Sequence, residues 1–272
     1  MKNFKIWKNT TALDDFSEGL NLTKDKDEAN IILLGSKSIN INQFPYLKAI
    51  FRVGVGKDNV PFKECEDKQI YIEFPSKRST NILYEETSNY TVSLVLRMLY
   101  ASPDISLPWK KNSRSSLERK TALIIGTGNI GSRVKHKLSQ LMQVVSYDKR
   151  ENEAEELESL IKQADVISIH IPNMPLNDNF IDKKKLSWMK NEAILINTAR
   201  ANLVNEEDLY LAISKGKIRA AFDVFWNEPY SGKLTTFYPD SFYMSPHIAS
   251  SCVDFFLGCR DDLDKMIQNL MK

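Results

Sequence analysis

The sequence predicts an α/β fold of two domains, the larger one a doubly wound parallel sheet. Three observations carry this. Short apolar runs alternate with polar, helix-compatible stretches along most of the 272 residues. In the second half those runs are continuously apolar rather than alternating, which is what strands covered by helices on both faces require. One strand-to-helix junction there, at 126–131, is rich in glycine.

Taken in order, apolar runs at Phe4–Trp7, Ile31–Leu34, Ala49–Val53 and Ile70–Ile72 predict four strands of a small α/β unit. From Thr80 the period lengthens to that of a helix, with Tyr90, Val92, Leu94, Val95 and Leu99 on one face, ending before Ser102-Pro103. The stretch Asp104–Lys120 mixes Pro108, Trp109, Lys110, Lys111, Arg114, Arg119 and Lys120 and reads as a solvated linker, since Glu118 interrupts the basic run and one tryptophan is a poor stacking platform. Strands follow at Ala122–Ile125, Val144–Tyr147, Val166–Ile171, Ala193–Asn197, Arg219–Phe225 and Phe242–Ser245. Between them the clearest helix opens on Asn205 as N-cap with Glu206, Glu207 and Asp208 in its first turn and closes before Gly216. A last helix is expected from Val253 to Met271.

Composition narrows the function classes. The 37 basic against 35 acidic residues leave +2, too balanced to argue for a nucleic-acid or membrane-surface partner. No apolar run approaches a transmembrane length, and Met1–Thr10 carries no secretory stretch, so a cytoplasmic protein is expected. Cys65, Cys252 and Cys259 are widely spaced and read as free thiols; His136, His170 and His247 offer no paired spacing, so no metal site is expected.

The glycine-rich junction is the first motif with a mechanism. Gly126-Thr127-Gly128-Asn129-Ile130-Gly131 follows the strand Ala122–Ile125 and opens a helix running to about Met142, and Asp148 stands 20 positions beyond Gly128 at the end of the next strand. That is the fingerprint of a Rossmann-type dinucleotide site: Gly126 for the tight turn, Gly128 for close approach to the pyrophosphate, Gly131 for helix packing, and the helix N-terminus facing the anion. Asp148 would accept hydrogen bonds from the adenosine ribose and repel a 2′-phosphate, favouring NAD over NADP, while Lys149 and Arg150 work against that preference.

With that site in place, Ile196-Asn-Thr-Ala-Arg200, Phe222-Asp-Val-Phe-Trp-Asn-Glu-Pro229 and Ser245-Pro-His-Ile-Ala249 become legible together. The chain resembles the D-isomer-specific 2-hydroxyacid dehydrogenases over nearly its whole length, including Leu47–Asn59, similar to the family's substrate-carboxylate loop, and Asp165–Pro172, similar to its strand ending in His-x-Pro. The resemblance implies a Rossmann-type domain inserted in a smaller flavodoxin-like α/β substrate domain: 1–83 the first part of the substrate domain, 84–250 the NAD-binding domain with its crossover helix and linker at 84–120, and 251–272 a helix returning to the substrate domain.

It also implies roles. Arg200 would hold the substrate, His247 act as acid and base, and Glu228 pair with that histidine; Val55 and Gly56 amides would hold the carboxylate; Thr198 and Asp223 would meet the nicotinamide end, and His170, Ile171 and Pro172 the cofactor near its ribose. A homodimer is implied as well. Taken singly, Arg200 reads as a surface ion pair, Glu228 as a loop acid and His247 as a satisfied core histidine; their order reverses this. Reducing a 2-oxo acid independently needs a proton donor and a fixed cation beside the developing oxyanion. The expected activity is hydride transfer between nicotinamide and a small D-2-hydroxy acid or its 2-oxo acid. The alternatives are a catalytically idle NAD(H)-sensing module and an NADP-preferring glyoxylate or hydroxypyruvate reductase, which Arg150 favours. Departures from the family pattern are Ala201 where glycine is usual, Asn89 where an acid is common, and Gly35 where phosphoglycerate-using members carry arginine; Lys37 or Lys57 are the available substitutes for the last.

Overall fold

The computed structural model describes residues 4–100 and 113–272. Within them the chain forms two compact units, 1–83 with 251–272 and 84–250. The linker residues Pro108, Trp109, Lys110 and Lys111 lie outside the described residues.

The first unit is built on four parallel strands, β1 (Ile6–Lys8), β2 (Ile31–Leu34), β3 (Ala49–Arg52) and β4 (Tyr71–Glu73), paired in that order. Leu22 makes a parallel bridge to Ile6 on the open side of β1. Counted as a residual second strand, it restores the flavodoxin-like order 2-1-3-4-5. The segments between these strands are less helical than expected: 3-10 turns at Asp14–Phe16 and Ile41–Gln43, and one α-helix, α1 (Phe62–Asp67). Asp14, Asp15, Gly19, Asp25 and Asp27 supply turn chemistry and too few apolar residues for a helical stripe. One face of the sheet packs Ile32, Leu34 and Ile50 against Cys65 and Ile70.

Helix α2 (Lys77–Leu99) starts in this unit, and its later turns belong to the second. There six parallel strands follow, β5 (Thr121–Ile125), β6 (Gln143–Tyr147), β7 (Val166–Ile169), β8 (Ala193–Asn197), β9 (Ile218–Phe222) and β10 (Phe242–Met244), with helices α3 (Gly131–Leu138), α4 (Glu156–Gln163), α5 (Lys183–Trp188) and α6 (Glu206–Ser214) among them. The spatial order is β6-β5-β7-β8-β9-β10. The direction of winding reverses between β5 and β7, and ligands of open α/β sheets bind at the carboxyl ends of the strands there. Leu123, Ile125, Ile167 and Ile169 pack one face with α4, α5 and α6; Ala122, Ile124, Val166 and Ile194 pack the other with Leu94, Val95 and Met98 of α2 and Val134 of α3. Both faces are therefore covered, the condition the continuous apolar runs anticipated.

Several element ends differ from the sequence reading. α3 stops at Leu138, where Ser139-Gln140 turns the chain. β7 stops at Ile169 and β9 at Phe222, short of the expected Ile171 and Phe225. In both places the chain leaves the sheet to present polar side chains. α6 has the expected N-cap, with Asn205 Oδ1 accepting from the Asp208 amide at 3.0 Å.

Helix α7 (Val253–Leu270) returns to the first unit. Its buried Asp262 accepts hydrogen bonds from the Ser76 amide and the Ser79 hydroxyl, each at 2.8 Å, at the start of α2. Its Arg260 donates to the carbonyls of Phe16 and Glu18 at 2.5 and 2.8 Å. Among the described residues no helix is long and apolar enough to cross a membrane.

Candidate active site

The carboxyl ends of β5, β6 and β7 enclose a cavity of about 480 Å³ lined by Gly126, Gly128, Asp148, His170, Ile171 and Pro172 from the predicted set, and by Arg150 and Leu176 among others. The turn after β5 is shaped by close approach. Gly126 has φ +91°, and a Cβ there would stand 2.6 Å from the His170 carbonyl oxygen; at Gly131 it would stand 1.9 Å from the Gly126 carbonyl oxygen. At Gly128 nothing lies within 4 Å of that position, so the backbone opens onto free space. The amides of Gly128, Asn129, Ile130 and Gly131 donate to no group among the described residues. Four free donors at the mouth of α3 are what a pyrophosphate needs, so the residues present fit a dinucleotide.

Asp148 is occupied in a way the sequence did not reveal. Arg150 grips it with Nε on Oδ1 at 2.8 Å and Nη2 on Oδ2 at 2.6 Å, and the Arg150 amide adds 3.1 Å. The amide and hydroxyl of Thr127 both reach Oδ2 at 3.0 Å. Arg150 first, then Thr127, hold the carboxyl well below the ordinary carboxylate range despite some burial. His170 also lines the cavity. Its Nε2 is 2.8 Å from the Ser168 hydroxyl, and burial pushes its pKa down to about 4, so the ring is neutral.

At the ends of β8, β9 and β10 a second set converges. His247 Nδ1 lies 3.0 Å from both carboxylate oxygens of Glu228. Burial disfavours the Glu228 anion, but the His247 hydrogen bond and charge, the Phe225 amide and the Arg200 charge outweigh it and hold the carboxyl below its usual value. His247 has φ +56°, a conformation rare for a side chain larger than glycine. Asp223 accounts for that. Fully buried, it accepts from the Ser245 hydroxyl at 2.6 Å and the Ile248 and Ala249 amides at 2.9 and 2.8 Å, fixing the chain on both sides of the histidine. Burial raises its pKa, with these donors opposing.

Arg200 follows β8 in extended conformation; its Nη1 donates to the Ala199 carbonyl at 2.8 Å, and its own carbonyl accepts from buried Asn197 at 2.8 Å. The Thr198 and Thr91 hydroxyls are 2.8 Å apart, and Thr91 donates to the Thr87 carbonyl at 2.7 Å. Thr198 therefore donates to Thr91, and its proton is taken up by α2. Val55 and Gly56 stand in the first unit, in the loop after β3.

Residues 105–249 match the family model described as D-isomer specific 2-hydroxyacid dehydrogenase, NAD binding domain. The chain is 30% identical over 257 residues to the glyoxylate reductase of Thermofilum pendens, covering 85% of this chain and 74% of that one. The chain belongs to the D-isomer-specific 2-hydroxyacid dehydrogenases. It is 29% identical over 221 residues to the hydroxypyruvate reductase of Thermotoga maritima, covering 76% of this chain and 72% of that one. Its fold matches the D-lactate dehydrogenase of Aquifex aeolicus, solved with NAD and lactic acid, with a TM-score of 0.81 at 23% identity over 98% and 95% of the two chains.

This dehydrogenase is thus an NAD-dependent oxidoreductase of 2-hydroxy acids. Of its departures, Asn89 donates to Glu86 at 2.9 Å on the surface of α2, and Ala201 is buried at the start of the turn after Arg200. Two features escaped sequence reasoning: the Arg150 fork on Asp148, and the use of Asp223 as an anchor for the His247 loop. The first was signalled only by proximity in sequence; the second joins residues up to 26 positions apart and had no local signal.

Proposed function

We propose that this dehydrogenase reduces a small, unphosphorylated 2-oxo acid to the D-2-hydroxy acid. When bound, NADH supplies the hydride. His247 gives the proton to the developing alkoxide, Glu228 steadies the imidazolium, and Arg200 anchors the carboxylate and polarises the carbonyl. The observation that carries this reading is the His247–Glu228 pair at 3.0 Å beside the charge of Arg200. Val55 and Gly56 serve as carboxylate donors; neither amide donates to any group among the described residues. Gly35 argues against a phosphorylated substrate, because a Cβ there would stand 2.7 Å from Thr10 Cβ and leave an arginine no room. Residues 84–250 form the cofactor domain, with 1–83 and 251–272 the substrate domain, and the protein works as a cytoplasmic homodimer. His170, Ile171 and Pro172 line the cofactor's ribose, and Thr198 and Asp223 support its nicotinamide end.

One observation favours a second cofactor. The Arg150 guanidinium neutralises Asp148, which weakens the repulsion of a 2′-phosphate and offers that phosphate a partner. The test is loss of NADH absorbance with glyoxylate, hydroxypyruvate, pyruvate and bulkier 2-oxo acids, each repeated with NADPH. Turnover of at least one acid is expected. NADH binding with silence across the panel would replace this reading by an NAD(H)-sensing module.

A further inference from the structure

The loop after β3 is wrapped around a buried arginine. Arg52, the last residue of β3, is only 4% exposed. Its guanidinium donates to three backbone carbonyls: Nε to Gly56 at 3.1 Å, and Nη1 to Val53 at 2.5 Å and Leu34 at 3.3 Å. One planar group thus ties both ends of the stretch 53–56 and fastens it to the neighbouring strand β2. Gly54, at φ +139°, sits on the guanidinium itself: a Cβ there would stand 2.7 Å from Nη1. On its far side the loop is held by Asn59, whose Nδ2 donates to the carbonyls of Gly35 at 2.7 Å and Lys37 at 2.9 Å. Between these clamps the amides of Val55, Gly56 and Lys57 donate to nothing among the described residues.

Successive unpaired amides in a loop form an anion-binding concavity. What makes such a loop a site is that its shape is set before the anion arrives, so that ordering it costs no binding energy. Here the carbonyl oxygens of Val53 and Gly56 are drawn onto a cation, and the same cation adds positive potential beneath the free donors.

We propose that Arg52 is the positioning residue of the substrate-carboxylate site: it holds the 53–56 loop in the shape that presents the Val55 and Gly56 amides to the acid. The inference rests on the reading of Val55 and Gly56 given above. Arginine is required because three acceptors in different directions need a rigid, planar, multiply donating group; lysine supplies the charge at a single point.

The test uses the full chain, with glyoxylate as substrate and oxamate as a non-reacting carboxylate probe. Arg52→Gln is expected to raise KM for glyoxylate and Kd for oxamate by about tenfold or more, the scale of losing charge-assisted hydrogen bonds, with NADH affinity unchanged. Arg52→Lys is expected to fall between it and wild type. Gly54→Ala keeps the charge but displaces the guanidinium, and is expected to raise both constants as well; it decides the matter if Arg52→Gln does not fold. KM and Kd within about twofold of wild type in the folded variants would overturn the proposal. Wild-type protein that neither turns over glyoxylate nor binds oxamate would instead overturn the reading of the loop as a carboxylate site, and this inference with it.

Discussion

His170 makes the dehydrogenase sensitive to mild acid, and by an amount the structure sets. Its pKa is pushed from 6.5 to about 4 by burial beside the cofactor cavity. The sign follows from which state binds the proton: below 6.5 the unfolded chain takes it up, while the native protein does not until near 4. The stabilisation is therefore complete above about pH 7 and is lost as pH falls through that window. A shift of this size is worth about 3 kcal/mol in full, of which about 2 kcal/mol is gone by roughly pH 5. The lowered carboxyls Asp148 and Glu228 add their own losses only further into acid, near and below their ordinary values of 3.8 and 4.5, so that pH separates the histidine from them. The assay is equilibrium urea unfolding of the full chain at about pH 7.5 and about pH 5, for wild type and His170→Gln, with the difference between the two pH values compared. Wild type should lose about 2 kcal/mol more than the variant. Because the sequence holds 3 histidines, their ring resonances are few enough to assign, and one should titrate near 4. Equal losses in the two proteins, or a His170 resonance titrating near 6.5, would mean that burial does not keep this ring neutral.

Three further outcomes follow from the site. His247→Ala should cut turnover by about 10²-fold or more with NADH binding intact, measured by steady-state kinetics and fluorescence titration; near-normal activity would remove the general acid. Glu228→Gln should lower turnover, because the His247 ring loses the carboxylate whose two oxygens stand 3.0 Å from its Nδ1; unchanged steady-state turnover would exclude that partnership. Gly131→Ala places a Cβ 1.9 Å from the Gly126 carbonyl oxygen, so α3 must shift off the glycine turn; a loss of about 1–3 kcal/mol in stability and at least about tenfold weaker NADH binding are expected, and an unchanged NADH Kd would mean the turn does not hold the pyrophosphate.

The second unit was the more legible part of the chain. Runs such as Ala193–Asn197 are buried along their whole length, so hydrophobicity alone marks them, and the glycine turn announces itself because only a Cβ-free backbone fits between Gly126, His170 and α3. The first unit was harder. Its strand at Leu22 has shrunk to a single bridge, and its connections are turns stabilised by local polar groups rather than by an apolar face. Within the site, the resemblance implied the Glu228–His247 pair, whereas the partners of Asp148 and Asp223 had no such signal. That Asp223 would point inward to grip the amides of Ile248 and Ala249 depends on β9 ending at Phe222 and β10 lying beside it. Arg52 read as one loop residue among several until its burial showed which carbonyls it gathers.

The way the chain threads the two units has a consequence for its synthesis. Residues 84–250 are contiguous, so that unit has all its parts once residue 250 has left the ribosome. The first unit does not: Arg260 and Asp262, which tie Phe16, Glu18, Ser76 and Ser79 together, are made only after the whole of the second unit. The usual amino-to-carboxyl order of domain folding is thereby inverted. The early strands must wait, with apolar Ile31–Leu34 and Ala49–Phe51 incompletely covered, while the later unit finishes first. Chaperone demand and aggregation risk during translation therefore fall on residues 1–83, and a nascent chain stalled short of α7 would hold a completed glycine turn while its first unit still lacked that helix.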